Sequence, residues 1–106
     1  MTILRFMALT LTLLATYPVA AQEGRIQRGL VFARTHCSQC HAIGRYGESP
    51  LAEAPPFRTL EHRYPIESLA EALSEGIVTG HPSMPEFRLD AAQINDLIAY
   101  IKSVQR

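Results

Sequence analysis

A chain of 106 residues with ten basic and ten acidic side chains, two cysteines and no tryptophan is one domain at most, and too small to bury a large core unaided. Its charge is balanced, and it has no basic patch of the kind that binds nucleic acid. Neither internal repeats nor low-complexity segments break it up.

Residues 1–21 stand apart. Arg5 supplies one positive charge, an apolar run from Phe6 to Ala15 follows, and Pro18 leads into the small residues Val19, Ala20 and Ala21. This is the layout of a secretory signal peptide, with cleavage expected after Ala21. The run falls short of the roughly 20 residues that a membrane-spanning helix needs, and no cysteine follows to carry a lipid anchor. An uncleaved N-terminal anchor is the alternative reading. Cleavage leaves one domain over residues 22–106, with no stable membrane insertion. Arg5 is the only charged residue removed, so that domain holds nine basic and ten acidic residues, a net charge near −1.

From Gln22 to about Ala42 the pattern is helical. Ile26, Leu30, Ala33 and Cys37 repeat at the spacing of one helix face. Gly29 interrupts the run. A mid-helix glycine costs roughly 0.5–1 kcal/mol relative to alanine, so a second backbone is expected to cross closely there.

The stripe leads into Cys37-Ser38-Gln39-Cys40-His41. Two cysteines three apart with a histidine directly after the second form the attachment pattern for c-type haem. If residues 35–41 are helical, Cys37, Cys40 and His41 share one face. The two thiols then reach the two vinyl groups and end as thioethers, while His41 provides the proximal iron ligand. Other readings are weaker. A thioredoxin-type dithiol needs a βαβ setting that the sequence lacks. A structural zinc site needs four ligands, so these three would have to recruit His36, His62 or His81. A disulfide across this spacing closes a very small loop and contributes little.

Residues 43–64 read as loop, broken by Gly44, Gly47, Ser49, Pro50, Pro55 and Pro56. A stretch this long without structure suits a segment that wraps a cofactor, with Ile43, Leu51, Phe57 and Leu60 packing on the porphyrin and His62 in solvent. Pro65 and Gly76 then bracket a helix of about 65–75. Its apolar face is Ile66, Leu69, Ala70 and Leu73, and its solvated face Glu67, Glu71 and Glu75. In the following loop Met84 is the one methionine after the signal segment, held between Pro82 and Pro85. The prolines fix the backbone, which suits Met84 as the distal iron ligand; His81 is its nearest rival. Asp90 is a good N-cap for a last helix from Ala91 to about Val104, with Ile94, Leu97, Ile98 and Ile101 at helical spacing.

With a helix before Cys37-Ser38-Gln39-Cys40-His41, the loop Gly80-His81-Pro82-Ser83-Met84-Pro85-Glu86-Phe87 and a last helix reading Leu97-Ile98-Ala99-Tyr100-Ile101-Lys102, the sequence resembles class I cytochrome c. The similarity covers essentially residues 22–106. It implies that Gly29 is where the N- and C-terminal helices cross, with Leu97 and Tyr100 packing there. The family's aromatic at the crossing is Ala33 here, with Phe32 one position earlier. The resemblance also implies that a proline carbonyl, of Pro55 or Pro56, orients His41.

The expected fold is all-α, three main helices around one covalently bound haem c. With His41 and Met84 on the iron no substrate site remains. The expected function is therefore one-electron transfer and not enzymatic catalysis, by a monomer working with redox protein partners such as a dehydrogenase, oxidase or reductase. Family resemblance implies haem attachment outside the cytoplasm, so the expected location is the periplasm. Two alternatives stay open: an electron-transfer subunit of a larger oxidoreductase, and a five-coordinate haem protein that binds ligands because Met84 is off the iron.

Overall fold

A computed structural model describes residues 17–76 and 84–106. Among these residues the elements are α1 (Tyr17–His36), a 3₁₀-helix (Phe57–His62), α2 (Ile66–Glu75) and α3 (Ala91–Ser103). No strand occurs among them, in keeping with the expected all-α fold. Most of the predicted signal segment lies outside the described residues, and its expected boundary at Ala21 falls within α1. Among the described residues no helix is long and apolar enough to cross a membrane.

The first helix ends earlier than its periodicity suggests, at His36 and not near Ala42. The amides of both Cys37 and Ser38 donate to the Ala33 carbonyl, at 2.8 and 3.0 Å. The second of these bonds is one residue wider than helical register, so the last turn opens. Arg34 and His36 sit in that turn, where positive charge suits the carbonyl end of the helix dipole.

Gly29 is buried, and the expected crossing is present. A Cβ built on it would collide with the backbone carbonyl of Asp96 and stand 2.6 Å from the Cβ of Tyr100. Arg28 reinforces the contact through two hydrogen bonds to the Asp96 carboxylate, at 3.0 and 3.1 Å. The third helix starts on a capping box: Asp90 accepts from the Gln93 amide at 2.8 Å, and the Gln93 side chain accepts from the Asp90 amide at 3.1 Å. These bonds satisfy amides that the helix start leaves without intrahelical partners.

The second helix runs from Ile66 with Pro65 before it, as its proline and glycine punctuation predicts. It lies against α3, where Lys102 pairs with Glu67. Ile66 and Leu73 are buried, Leu69 and Ala70 half-buried, and Glu67, Glu71 and Glu75 exposed. Gly76 takes a φ of +94° that L side chains rarely adopt. The chain returning from Met84 passes beside it, since a Cβ at Gly76 would meet the side chains of Glu86 and Arg88. The Leu89 amide ties this strand of chain to the Leu73 carbonyl at 2.9 Å.

One core joins the helices: Ala33 from α1, Phe57 and Leu60 from the 3₁₀-helix, Ile66 and Leu73 from α2, and Ile94, Leu97, Tyr100 and Ile101 from α3. The stretch from 43 to 64 is thus not all loop. Phe57 and Leu60 point two side chains into the core from a short helix, an arrangement that no apolar repeat of useful length announces.

Candidate haem site

Beyond His36 the chain makes one separate turn. The amides of Cys40 and His41 both donate to the Cys37 carbonyl, at 3.2 and 3.0 Å. The four-residue relation between Cys37 and His41, expected from a continuing helix, is therefore supplied by a single hydrogen-bonded turn. Residues 42–57 fold back over it: the Leu51 amide donates to the Cys40 carbonyl at 3.1 Å, the Ala42 amide to Ser49 Oγ at 3.0 Å, and the Phe57 amide to the Ala42 carbonyl at 2.9 Å.

This return brings Pro55 to His41. The Nδ1–H of His41 donates to the Pro55 carbonyl at 2.7 Å, so Pro55 and not Pro56 is the orienting residue. A proton held at Nδ1 leaves the Nε2 lone pair free to bind a metal and makes the ring a stronger donor. Phe57 packs on the same imidazole, with ring centroids 5.3 Å apart.

Cys37, Cys40, His41 and Met84 all line one cavity of about 620 Å³. That volume lies within the roughly 300–1,000 Å³ usual for cofactor pockets. Its walls are mainly apolar, with Leu51, Phe57 and Leu60 from the middle segment, Leu69 and Leu73 from α2, and Leu97 and Ile101 from α3. Ile43 does not line it: it packs against the core instead, and its carbonyl accepts from Tyr100 Oη at 2.8 Å. Met84 is half-buried. His81, the rival ligand, and Pro82 lie outside the described residues.

Neither cysteine is in a disulfide. Burial pushes the Cys37 thiol up to about 11, the reverse of the lowered value that activates a redox dithiol. Among the described residues no group of three or more His, Cys, Asp or Glu side chains is placed to hold a metal ion. A broad apolar cavity, two thiols, an oriented imidazole and a thioether together fit haem.

Several residues that the sequence reading left unassigned belong to the site. Arg63 is the one lysine or arginine among the described lining residues, and Tyr64 lies next to it. Burial raises the Tyr64 phenol above its ordinary value while the Arg63 charge opposes that shift. His36 lies at the cavity edge between Phe32, at a ring distance of 4.5 Å, and Phe87, at 6.3 Å. Phe32 therefore lines the cavity while Ala33 fills the buried position. His62 is exposed as expected, but its Nε2 bonds the Arg106 carbonyl at 2.6 Å.

The sequence model of the family described as Cytochrome c matches residues 26–105. A cytochrome c-552 of Bradyrhizobium diazoefficiens is 30% identical over 87 residues, covering 82% of this chain and 79% of that protein. No solved structure matches. The family match spans the second half of α1, the cysteine pair, the cavity and α3, and the chain accordingly belongs to the cytochrome c family, as a class I c-type cytochrome that binds haem c covalently and carries electrons.

Proposed function

We propose that the protein is an exported, periplasmic one-electron carrier in a respiratory or dehydrogenase chain, with its haem bonded to Cys37 and Cys40 and its iron held between His41 and Met84. One observation carries this reading: all four side chains line the same cavity, while Pro55 occupies the Nδ1–H of His41 and leaves Nε2 to bind iron. Export rests on the signal-like segment over residues 1–21.

Haem supplies the iron couple that takes up and releases one electron. The protein side chains set how it does so. His41 and Met84 would hold the iron in either oxidation state, so the protein would need little rearrangement between the two. Thioether ligation by Met84 favours the ferrous state and raises the potential. The apolar walls exclude water, which further disfavours the extra positive charge of the ferric state. Arg63 and Tyr64 would meet the haem carboxylates, a guanidinium and a phenol being suitable donors for them.

Covalent attachment is tested with acidified acetone. The haem is expected to stay with the polypeptide and to stain it on a denaturing gel. Replacing either Cys37 or Cys40 by serine is expected to weaken that retention, and haem released from the native protein would refute the assignment.

A further inference from the structure

Gln105, just beyond α3, makes three hydrogen bonds through one carboxamide. Its Nε2 donates to the carbonyls of Phe57 at 2.6 Å and Ile101 at 2.8 Å, and its Oε1 accepts from the Glu61 amide at 2.9 Å. A single side chain thereby grips the 3₁₀-helix at two points and ties it to the last turn of α3. The 3₁₀-helix has no side-chain cap of its own at Pro56, so this grip comes from elsewhere in the sequence.

Phe57 is held from both sides: its amide donates to the Ala42 carbonyl at 2.9 Å, and its carbonyl accepts from Gln105. Its ring lies 5.3 Å from that of His41. Two residues earlier, the Pro55 carbonyl takes the His41 Nδ1–H at 2.7 Å. The Pro56 ring fixes its own φ and Phe57 is held in the 3₁₀-helix, which limits the slack between the Phe57 carbonyl and the Pro55 carbonyl. A shift at one is passed to the other.

We propose that Gln105 is a positioning residue for His41: by fixing Phe57 it sets the Pro55 carbonyl against the imidazole, and so tunes how strongly that imidazole donates to iron. The inference rests on the proposed role of His41 as an iron ligand. Its sign follows from ligand chemistry. The hydrogen bond at Nδ1 makes the ring more basic, and a more basic ring favours ferric over ferrous iron. Loosening the Gln105 grip therefore weakens the bond and raises the potential.

The test uses the full-length holoprotein. Gln105→Glu keeps length and the acceptor for Glu61 but loses both donations from Nε2; Gln105→Met removes all three bonds without adding charge and serves if the first variant does not accumulate. Asp90→Ala, which weakens α3 at its other end, is the control. Two quantities are read: the midpoint potential, and the exchange rate of the His41 Nδ1 proton by NMR of the reduced protein. The charge-neutral Gln105→Met is expected to raise the potential, both Gln105 variants are expected to speed the exchange several-fold, and Asp90→Ala is expected to leave both quantities as in wild type. Unchanged potential and exchange in a Gln105 variant, even with a lower melting temperature, would overturn the proposal and leave a purely structural clasp. Wild-type protein whose His41 ring protons lack the large shifts of a haem-bound imidazole would overturn the ligand assignment first, and the positioning role with it.

Discussion

The Cβ that Gly29 lacks would stand 2.6 Å from the Cβ of Tyr100, closer than two such carbons approach without displacement. The helix that leads into Cys37 is thereby pressed against the helix that supplies Leu97 and Ile101 to the cavity wall. The crossing and the haem site are two ends of one packing arrangement.

Substitution at that point is expected to be costly. Gly29→Val forces branched carbons into the Asp96 carbonyl, and overpacking of this kind costs about 1–3 kcal/mol. Even Gly29→Ala should lose stability, because the helix-propensity gain of about 0.5–1 kcal/mol does not offset a backbone collision. Urea unfolding followed by circular dichroism measures both. An unchanged midpoint for Gly29→Val would contradict the crossing.

Loss of the Asp90 cap should be milder and local. Asp90→Ala removes the acceptor of the Gln93 amide and is expected to cost about 1 kcal/mol. The same denaturation experiment reads it, with no change in the absorption spectrum of the haem.

Alkaline pH should act through Tyr100. Burial holds its phenol above the ordinary tyrosine value, and its hydroxyl donates to the Ile43 carbonyl at 2.8 Å. A raised folded-state value means that this contribution is complete below the unfolded tyrosine value of about 10 and is lost as pH rises through the folded one. Tyr100→Phe is expected to cost about 0.5–1.5 kcal/mol at neutral pH and to flatten the alkaline fall in stability. Tyr64, raised in the same direction, accounts for part of the fall that persists. A pH–stability curve with the same alkaline slope in wild type and variant would contradict this role.

Arg63 offers an electrostatic check on the site. A cation at the cavity wall favours the iron state with less positive charge, so Arg63→Gln is expected to lower the midpoint potential. The shift should be smaller at high salt, because Arg63 is exposed and its field is screened. A potential that rises would contradict its assignment beside the haem carboxylates.

Much of this was legible in the sequence because local pattern and tertiary role coincide. The cysteine spacing, the glycine in an apolar helix face, the proline and glycine around α2 and the cap at Asp90 each carry their meaning within a few residues. The end of α1 was not legible, since Cys37 to His41 leave the helix through a widened turn at Ala33 and are then held by residues returning from the middle segment. Pro55 and Pro56 offer the same carbonyl, and only the path of residues 42–57 decides between them. Gln105 carried no signal at all: two of its three bonds are to a segment more than forty residues away in the chain.

The ligation of the iron is tested most directly by the near-infrared spectrum of the ferric protein. Met84 sulfur on iron predicts the weak charge-transfer band of iron–thioether bonding, a ferrous form that resists carbon monoxide, and loss of both properties in Met84→Ala. A wild-type protein without the band, or one that binds carbon monoxide readily, would contradict the account.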